Sequence, residues 1–345
     1  MDIDILNLEE LDLLCDIIDD SQKIVILAHV NPDGDAVGSS LGFMQYLMCY
    51  KKDVSVIVPD QYPNFLHWLP YSDKIIRYDR AKERANALIK NADTIFFLDF
   101  NSLSRVEAMS SAVEESKAKR VLVDHHENPE VKVDLCISHP EMSSTSEIVF
   151  RLIWQMQGSI LIDEPMATAL YCGMMTDTGG FTYNSNSPEL YFIISQLLCA
   201  GIDKDKIYRS VYNNYSESRM RLLGYILYEK LHVLDDYHAA YYTISRDDMS
   251  RFKFKKGDAE GIVNFPLQIS GIRLSISLRE DTDKDNLVWV SLRSVGDFSC
   301  ISMAEKFFNG GGHFNASGGR LYCSLAEAEN TVKLAILHFE KELRS

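Results

Sequence analysis

The stretch "KIVILAHVNPDGDAVGSS", residues 23–40, runs from a β-branched apolar segment into a turn carrying His29, Asp33 and Asp35 beside Pro32, Gly34 and Gly38. A strand that is apolar without alternation is one buried on both faces, and the pattern returns in "VSVIV" (54–58), "TIFFLDF" (94–100) and "RVLVDHH" (120–126). Between these runs, "GSSLGFMQYLMCY" and "RAKERANALIKNA" place apolar residues at i, i+3 and i+4. Strands alternating with helices predict an α/β fold, with an N-terminal Rossmann-like parallel sheet covered on both faces. Further helices are expected over about 143–157, 164–175 and 188–200.

The chain of 345 residues exceeds the usual domain of ~100–150 residues, which implies two domains. The expected division is 1–202 for the first, a helical connector over 203–231, and 232–345 for a smaller α/β unit with hairpins. That last part changes to alternating strands, "YHAAYYTI", "GIRLSISLRE" and "NLVWVSLRS", before a closing amphipathic helix. A net charge of −15 argues against coating long duplex nucleic acid, and a small anionic substrate would need a local positive site. Seven cysteines without a C-x-x-C pair give neither a zinc knuckle nor a disulfide framework. The acidic, amphipathic start is the opposite of a signal peptide, and no apolar run nears the ~18 residues of a membrane helix, so a cytoplasmic protein without membrane partners is expected. "RFKFKK" (251–256) mixes basic and aromatic residues and reads as a solvated loop rather than a nucleic-acid stripe.

Three apolar strands end in side chains that bind cations: His29, Asp99, and the run Asp124, His125, His126. Carboxyl ends of strands in an open α/β sheet share one edge, where ligands bind, so residues distant in sequence should meet there. "MMTDTGGF" (174–181) adds Asp177 beside two glycines. An aspartate after a strand is ordinarily a helix cap or turn residue, but so many at one edge need another explanation. Close carboxylate pairs repel by roughly 4 kcal/mol at an effective dielectric near 20, against a net stability of ~5–15 kcal/mol. Two divalent cations would cancel the charge of Asp33, Asp35, Asp99 and Asp177. An oxygen-rich set with imidazoles suits Mn²⁺ first, with Mg²⁺ or Fe²⁺ as alternatives. Gly34 and Gly38 are expected to let the turn bend close to an anion.

The motifs "HVNPDGD", "LDF", "VDHH" and "TDTGGF" resemble the four motifs of the DHH phosphoesterases, the superfamily that includes RecJ-like exonucleases and family II pyrophosphatases. "WVSLRS" and "FNGGGHFNASGG" (308–319) resemble its DHHA1 substrate-binding domain, and the layout is most similar to the oligoribonuclease and pAp-phosphatase (nanoRNase) branch. The resemblance implies one ion held by His29, Asp33 and Asp99 and a second by Asp35, Asp99, His125 and Asp177. It implies that Asp124 orients an imidazole and that His126 faces the phosphoryl or leaving oxygen. In the second domain, Gly310, Gly311 and Gly312 are expected to take positive φ and present N–H groups to a phosphate, with His313 as a further donor, Ser317 and Gly318 closing the loop, and Arg293 forking onto the anion. The activity implied is hydrolysis of short single-stranded RNA, of pAp to AMP, or both, by a hydroxide activated by two metals. The alternative is cleavage of pApA or cyclic di-AMP, with a pyrophosphatase or a non-catalytic nucleotide sensor behind it. A homodimer is compatible with the class.

Overall fold

The computed structural model describes residues 3–255 and 257–344, in two compact units that divide between Asn214 and Tyr215. The first unit opens with α1 (Leu8–Asp20), whose start is closed by a capping box between Asn7 and Glu10. Then follow β1 (Lys23–Leu27), α2 (Gly34–Cys49), β2 (Asp53–Val58), β3 (Ile76–Arg77), α3 (Tyr78–Lys90), β4 (Thr94–Leu98), α4 (Ser110–Glu115), β5 (Lys119–Asp124) and β6 (Leu135–Ser138). Helices α5 (Thr145–Gln155), α6 (Glu164–Asp177), α7 (Pro188–Cys199) and α8 (Lys204–Tyr212) complete it.

The sheet has the order β3-β2-β1-β4-β5-β6 and every pairing in it is parallel. Leu27 pairs with Ile57 and Phe97, and Phe97 with Leu122, so the four long strands end in step. Their continuous apolar runs are buried on two sides. Ile24, Ile26, Phe96, Leu98, Val121 and Val123 share one core with α2, α5 and α6, while Val25, Leu27, Ile95, Phe97 and Leu122 share another with α3. The strands β3 and β6 were not expected, because the first has two residues and the second buries only Leu135 and Ile137 well.

Gly34 and Gly38 do not bend a turn toward an anion; they lie inside α2 and let it touch α6. A Cβ on Gly34 would stand 2.2 Å from the Thr176 hydroxyl oxygen, and one on Gly38 2.5 Å from the Ala169 carbonyl oxygen. A Cβ on Gly173, across the contact, would stand 2.0 Å from the Ser146 hydroxyl and 2.9 Å from Asp35 Oδ1. The two helices that carry Asp35 and Asp177 thus meet backbone to backbone.

The second unit holds α9 (Glu217–Tyr225), which runs into a π-helical turn, then β7 (His232–Leu234), β8 (Ala239–Ile244), α10 (Arg246–Arg251), β9 (Leu274–Glu280), β10 (Val288–Ser294), α11 (Cys300–Phe307), β11 (Gly311–His313), β12 (Ala316–Leu321), α12 (Leu325–His338) and α13 (Glu340–Arg344). Its sheet has the order β11-β12-β10-β9-β8-β7, antiparallel except between β8 and β9. In β10, Val288, Val290 and Leu292 enter the core with α11 and α12, while Trp289, Ser291 and Arg293 share the other face.

The stretch 203–231 is helical, and its helices belong to different units: Ile207 and Val211 of α8 bury in the first, Leu222, Leu223 and Ile226 in the second. Of "RFKFKK", Arg251 ends α10 and Phe252 and Phe254 pack toward the Tyr242 cluster; Lys256 lies outside the described residues. No helix among the described residues is long and apolar enough to cross a membrane.

Candidate active site

The first unit's strand order reverses between β1 and β4, and at such a switch point the carboxyl ends of neighbouring strands leave a crevice. His29 follows β1 by two residues, Asp99 follows β4 directly, Asp124 is the last residue of β5, and His125 and His126 come next. Asp33 caps α2, Asp35 lies in its first turn, and Asp177 is the last residue of α6. Asp99 itself has φ 66°, a left-handed backbone that costs a non-glycine residue about 1–2 kcal/mol.

These side chains converge into two groups that share Asp99. His29 Nε2 is 3.8 Å from Asp33 Oδ2 and 3.4 Å from Asp99 Oδ2. His125 Nε2 is 3.9 Å from Asp35 Oδ2, 3.5 Å from Asp99 Oδ1 and 3.4 Å from Asp177 Oδ2. The sets His29, Asp33, Asp99 and Asp35, His125, Asp177 each bring their donor atoms within 4.8 Å of one another. One oxygen of Asp99 therefore faces each imidazole. His29, Asp35, Asp99, Asp124 and His125 are buried, while Asp33 and Asp177 are partly open to solvent.

The imidazoles are held by their other nitrogen. His29 Nδ1 lies 2.7 Å from the Val30 carbonyl and His125 Nδ1 3.4 Å from that of Met142. A ring that donates Nδ1–H to a carbonyl turns the Nε2 lone pair toward the carboxylates, the arrangement a metal ligand needs. His126 Nδ1 instead lies 2.7 Å from Asp124 Oδ1.

Burial, then the charges of Asp35, Asp33 and Asp177, pushes the Asp99 carboxyl well above the ordinary carboxylate range. Burial also raises Asp35. Burial drives His29 down to about 4, so this imidazole is neutral at pH 7 and able to donate its lone pair. For His125 burial is outweighed by Asp177 and Asp35, which raise it. For Asp124 burial is outweighed by the hydrogen bond from His126, which lowers it. A site in which Asp99 and Asp35 resist ionisation fits a divalent cation in each group, with oxygen and imidazole donors and no thiolate.

The start of α5 supplies contacts that sequence reading missed. Asp35 Oδ2 accepts from Thr145 N at 2.7 Å, its Oδ1 accepts from Ser146 N at 2.9 Å, and Thr145 Oγ1 donates to Asp99 Oδ1 at 3.1 Å. The signal was present in "SSTSE" (143–147), a cap followed by an acid three residues on, with Ser144 accepting from Glu147 N. Arg105, whose carbonyl accepts from Val30 N next to His29, was given no role in the sequence reading.

In the second unit, the glycine-rich run is a hairpin and not a loop with successive positive φ. Gly311 pairs with Gly318, Gly312 with Ser317 and His313 with Ala316. Only Gly312 of the three takes positive φ, at 143°. The glycines are needed for close packing, since a Cβ on Gly310 would stand 1.8 Å from the Gly318 carbonyl oxygen and one on Gly319 2.3 Å from that of Phe308. Gly310 N–H is already donated to Ala304, and the Ser317 hydroxyl to the His313 carbonyl. Arg293 pairs with Ala316, so Arg293 and His313 lie in one cross-strand row with a small residue between them. Asn315, to which sequence reading gave no role, ties the hairpin tip to the Ser294 hydroxyl and the Gly296 carbonyl.

Residues 23–174 match the family described as the DHH family, N-terminal domain. The chain is similar to an exopolyphosphatase-related protein from Bacteroides fragilis of known crystal structure, with 48% identity, 99% of each chain covered and a TM-score of 0.94. It is 26% identical over 311 residues to the probable bifunctional oligoribonuclease and PAP phosphatase NrnA of Streptococcus mutans, covering 89% of this chain and 92% of that protein. It is 26% identical over 333 residues to the cyclic-di-AMP phosphodiesterase PdeA of Listeria monocytogenes, covering 94% of this chain and 48% of that protein.

Proposed function

This chain belongs to the DHH family, and from that premise we propose that it is a metal-dependent phosphoesterase releasing nucleoside monophosphate from short single-stranded RNA and AMP from pAp. The observation that carries the reading is the pair of carboxylate–imidazole groups sharing Asp99. His29, Asp33 and Asp99 would hold one divalent ion, Mn²⁺ first, and Asp35, Asp99, His125 and Asp177 the other. Two such ions, when bound, lower the pKa of water and neutralise charge on the phosphoryl oxygens.

The chain's own contributions follow from the contacts. Asp99 faces both groups and fixes their spacing, while the Thr145 and Ser146 N–H groups hold Asp35 in one rotamer. Asp124 takes the Nδ1 hydrogen bond of His126, orienting the ring so that Nε2 is the atom through which a proton reaches the leaving oxygen. In the second unit, Arg293, Gly310, Gly311, Gly312, His313, Ser317 and Gly318 are assigned to the nucleotide: the arginine and histidine to its phosphate, the small residues to a flat shelf beside them.

Resemblance to PdeA over 94% of the chain supports a second reading, cleavage of pApA or cyclic di-AMP by the same site. The test is incubation with Mn²⁺ and, separately, pAp, RNA of two to five nucleotides, pApA, cyclic di-AMP and pyrophosphate. Monophosphate release from RNA and pAp is expected. Turnover of pyrophosphate alone would overturn the substrate assignment, and turnover of cyclic di-AMP and pApA alone would favour the second reading.

A further inference from the structure

Arg105 sits in the short 3₁₀ segment Leu103–Met109 that follows Asp99. Its carbonyl accepts from Val30 N at 2.7 Å, which fastens the segment to the residue after His29. The segment is also strained, since Glu107 has φ 44° and ψ −114°, a conformation that persists only where the surroundings enforce it. Arg105 is therefore held in place through its backbone, independently of its side chain. The side chain forms no ion pair or hydrogen bond among the described residues, and its Nε is buried without a partner. The bond to Val30 sets Arg105 beside His29, at the border of the group formed by His29, Asp33 and Asp99.

A permanent cation beside a set of cation ligands works against metal binding, and a buried guanidinium nitrogen left unsatisfied is itself costly. Both become intelligible if an anion completes the site. Asp33, Asp35, Asp99 and Asp177 bring four negative charges, which two divalent ions would only balance, so a phosphate arrives at a centre with no net positive charge unless a further cation stands beside it. We propose that Arg105 is a further catalytic residue, whose guanidinium grips the non-bridging oxygens of the scissile phosphate beside His29 and Asp33. The planar fork of arginine suits two oxygens of one phosphoryl group. This assignment rests on the phosphoesterase reading above.

The test uses the full chain loaded with Mn²⁺ and compares wild type, Arg105→Ala and Arg105→Lys. Calorimetric titration with AMP should show affinity about 10- to 100-fold lower in Arg105→Ala, the range of a lost hydrogen bond between charged partners, with Arg105→Lys recovering part of it. Mn²⁺ affinity, titrated separately, should stay the same or rise, because a repelling charge has been removed. The kcat/KM for pAp should fall at least as far as AMP affinity. AMP affinity within twofold of wild type in Arg105→Ala would overturn the proposal. So would Mn²⁺ affinity that falls together with AMP affinity, which is the signature of a residue that only supports the 103–109 segment. Titration and turnover separate the two claims: wild type that binds AMP but cleaves neither RNA nor pAp refutes the proposed function, and loss of the affinity difference refutes the role of Arg105.

Discussion

Replacing Asp99 by asparagine should stabilise the metal-free protein and cripple the metal-loaded one. Asp99 is 2% exposed and lies 3.4 Å from His29 and 3.5 Å from His125. Burial, followed by Asp35, Asp33 and Asp177, raises its carboxyl well above the ordinary range, whereas in an unfolded chain it ionises near ~3.9. Between those values the folded state keeps a proton that the unfolded state releases. The contribution to stability is complete below the unfolded value and is lost as pH rises through the folded one. Each like-charge contact costs on the order of 4 kcal/mol at an effective dielectric of 20, most of it relieved by protonation and relaxation, so Asp99→Asn should gain about 1–3 kcal/mol at neutral pH without metal. In a unit of this size that is a rise in Tm of roughly 2–10 °C, and the asparagine oxygen can still accept from Thr145. Mn²⁺ at about 100 times its Kd adds ~2.7 kcal/mol per site to wild type. The variant loses a donor from both groups, so the order of melting temperatures should invert when Mn²⁺ replaces EDTA. Calorimetric melts in both conditions read this directly. A metal-free variant that melts below wild type, or equal gains from Mn²⁺, would refute the reasoning.

Three further outcomes follow from the same geometry. With His29 lowered to about 4, below the ~6.5 of an unfolded chain, its neutral form contributes stability at neutral pH that is lost as pH falls from about 6.5 through 4. Urea midpoints of the metal-free protein should therefore converge for wild type and His29→Gln over that window, the difference shrinking by about 3 kcal/mol. Gly38→Ala should destabilise by about 1–3 kcal/mol and weaken Mn²⁺ binding although Gly38 touches no ion, because its Cβ would stand 2.5 Å from the Ala169 carbonyl oxygen and wedge α2 from α6; thermal melts and metal titration check both effects. His126→Ala should lower kcat on pAp by about 10²–10³ with Mn²⁺ stoichiometry unchanged, measured by steady-state kinetics beside metal analysis. Mn²⁺ content falling in step with kcat would instead make His126 a ligand.

Much of the site was legible because its residues stand where the apolar runs stop. His29, Asp99 and Asp124 each mark the end of a doubly buried strand, and strand ends in a parallel sheet share an edge. Local signals of that kind survive in one dimension. What sequence reading missed is non-local: Thr145 meets Asp35 across 110 residues of chain, and the value of Gly34 and Gly38 lies in a helix that begins at Glu164. The glycine run at 310–312 read as a positive-φ anion loop because glycine permits both that and close strand packing, and only the pairing with Ala316–Gly318 decides between them. Arg105 escaped because nothing in "NSLSRVE" shows that its carbonyl would be taken by Val30.

The aspartates at the two helix starts have a further consequence. A helix N-terminus facing a switch-point crevice is the place where doubly wound proteins commonly seat a phosphate, through exposed N–H groups and a positive dipole end. Here Asp33 takes the amides of Asp35 and Ala36, and Asp35 takes those of Thr145 and Ser146. The polypeptide has plugged both anion seats with carboxylates of its own, and the corner presents acceptor oxygens where such folds commonly present N–H donors.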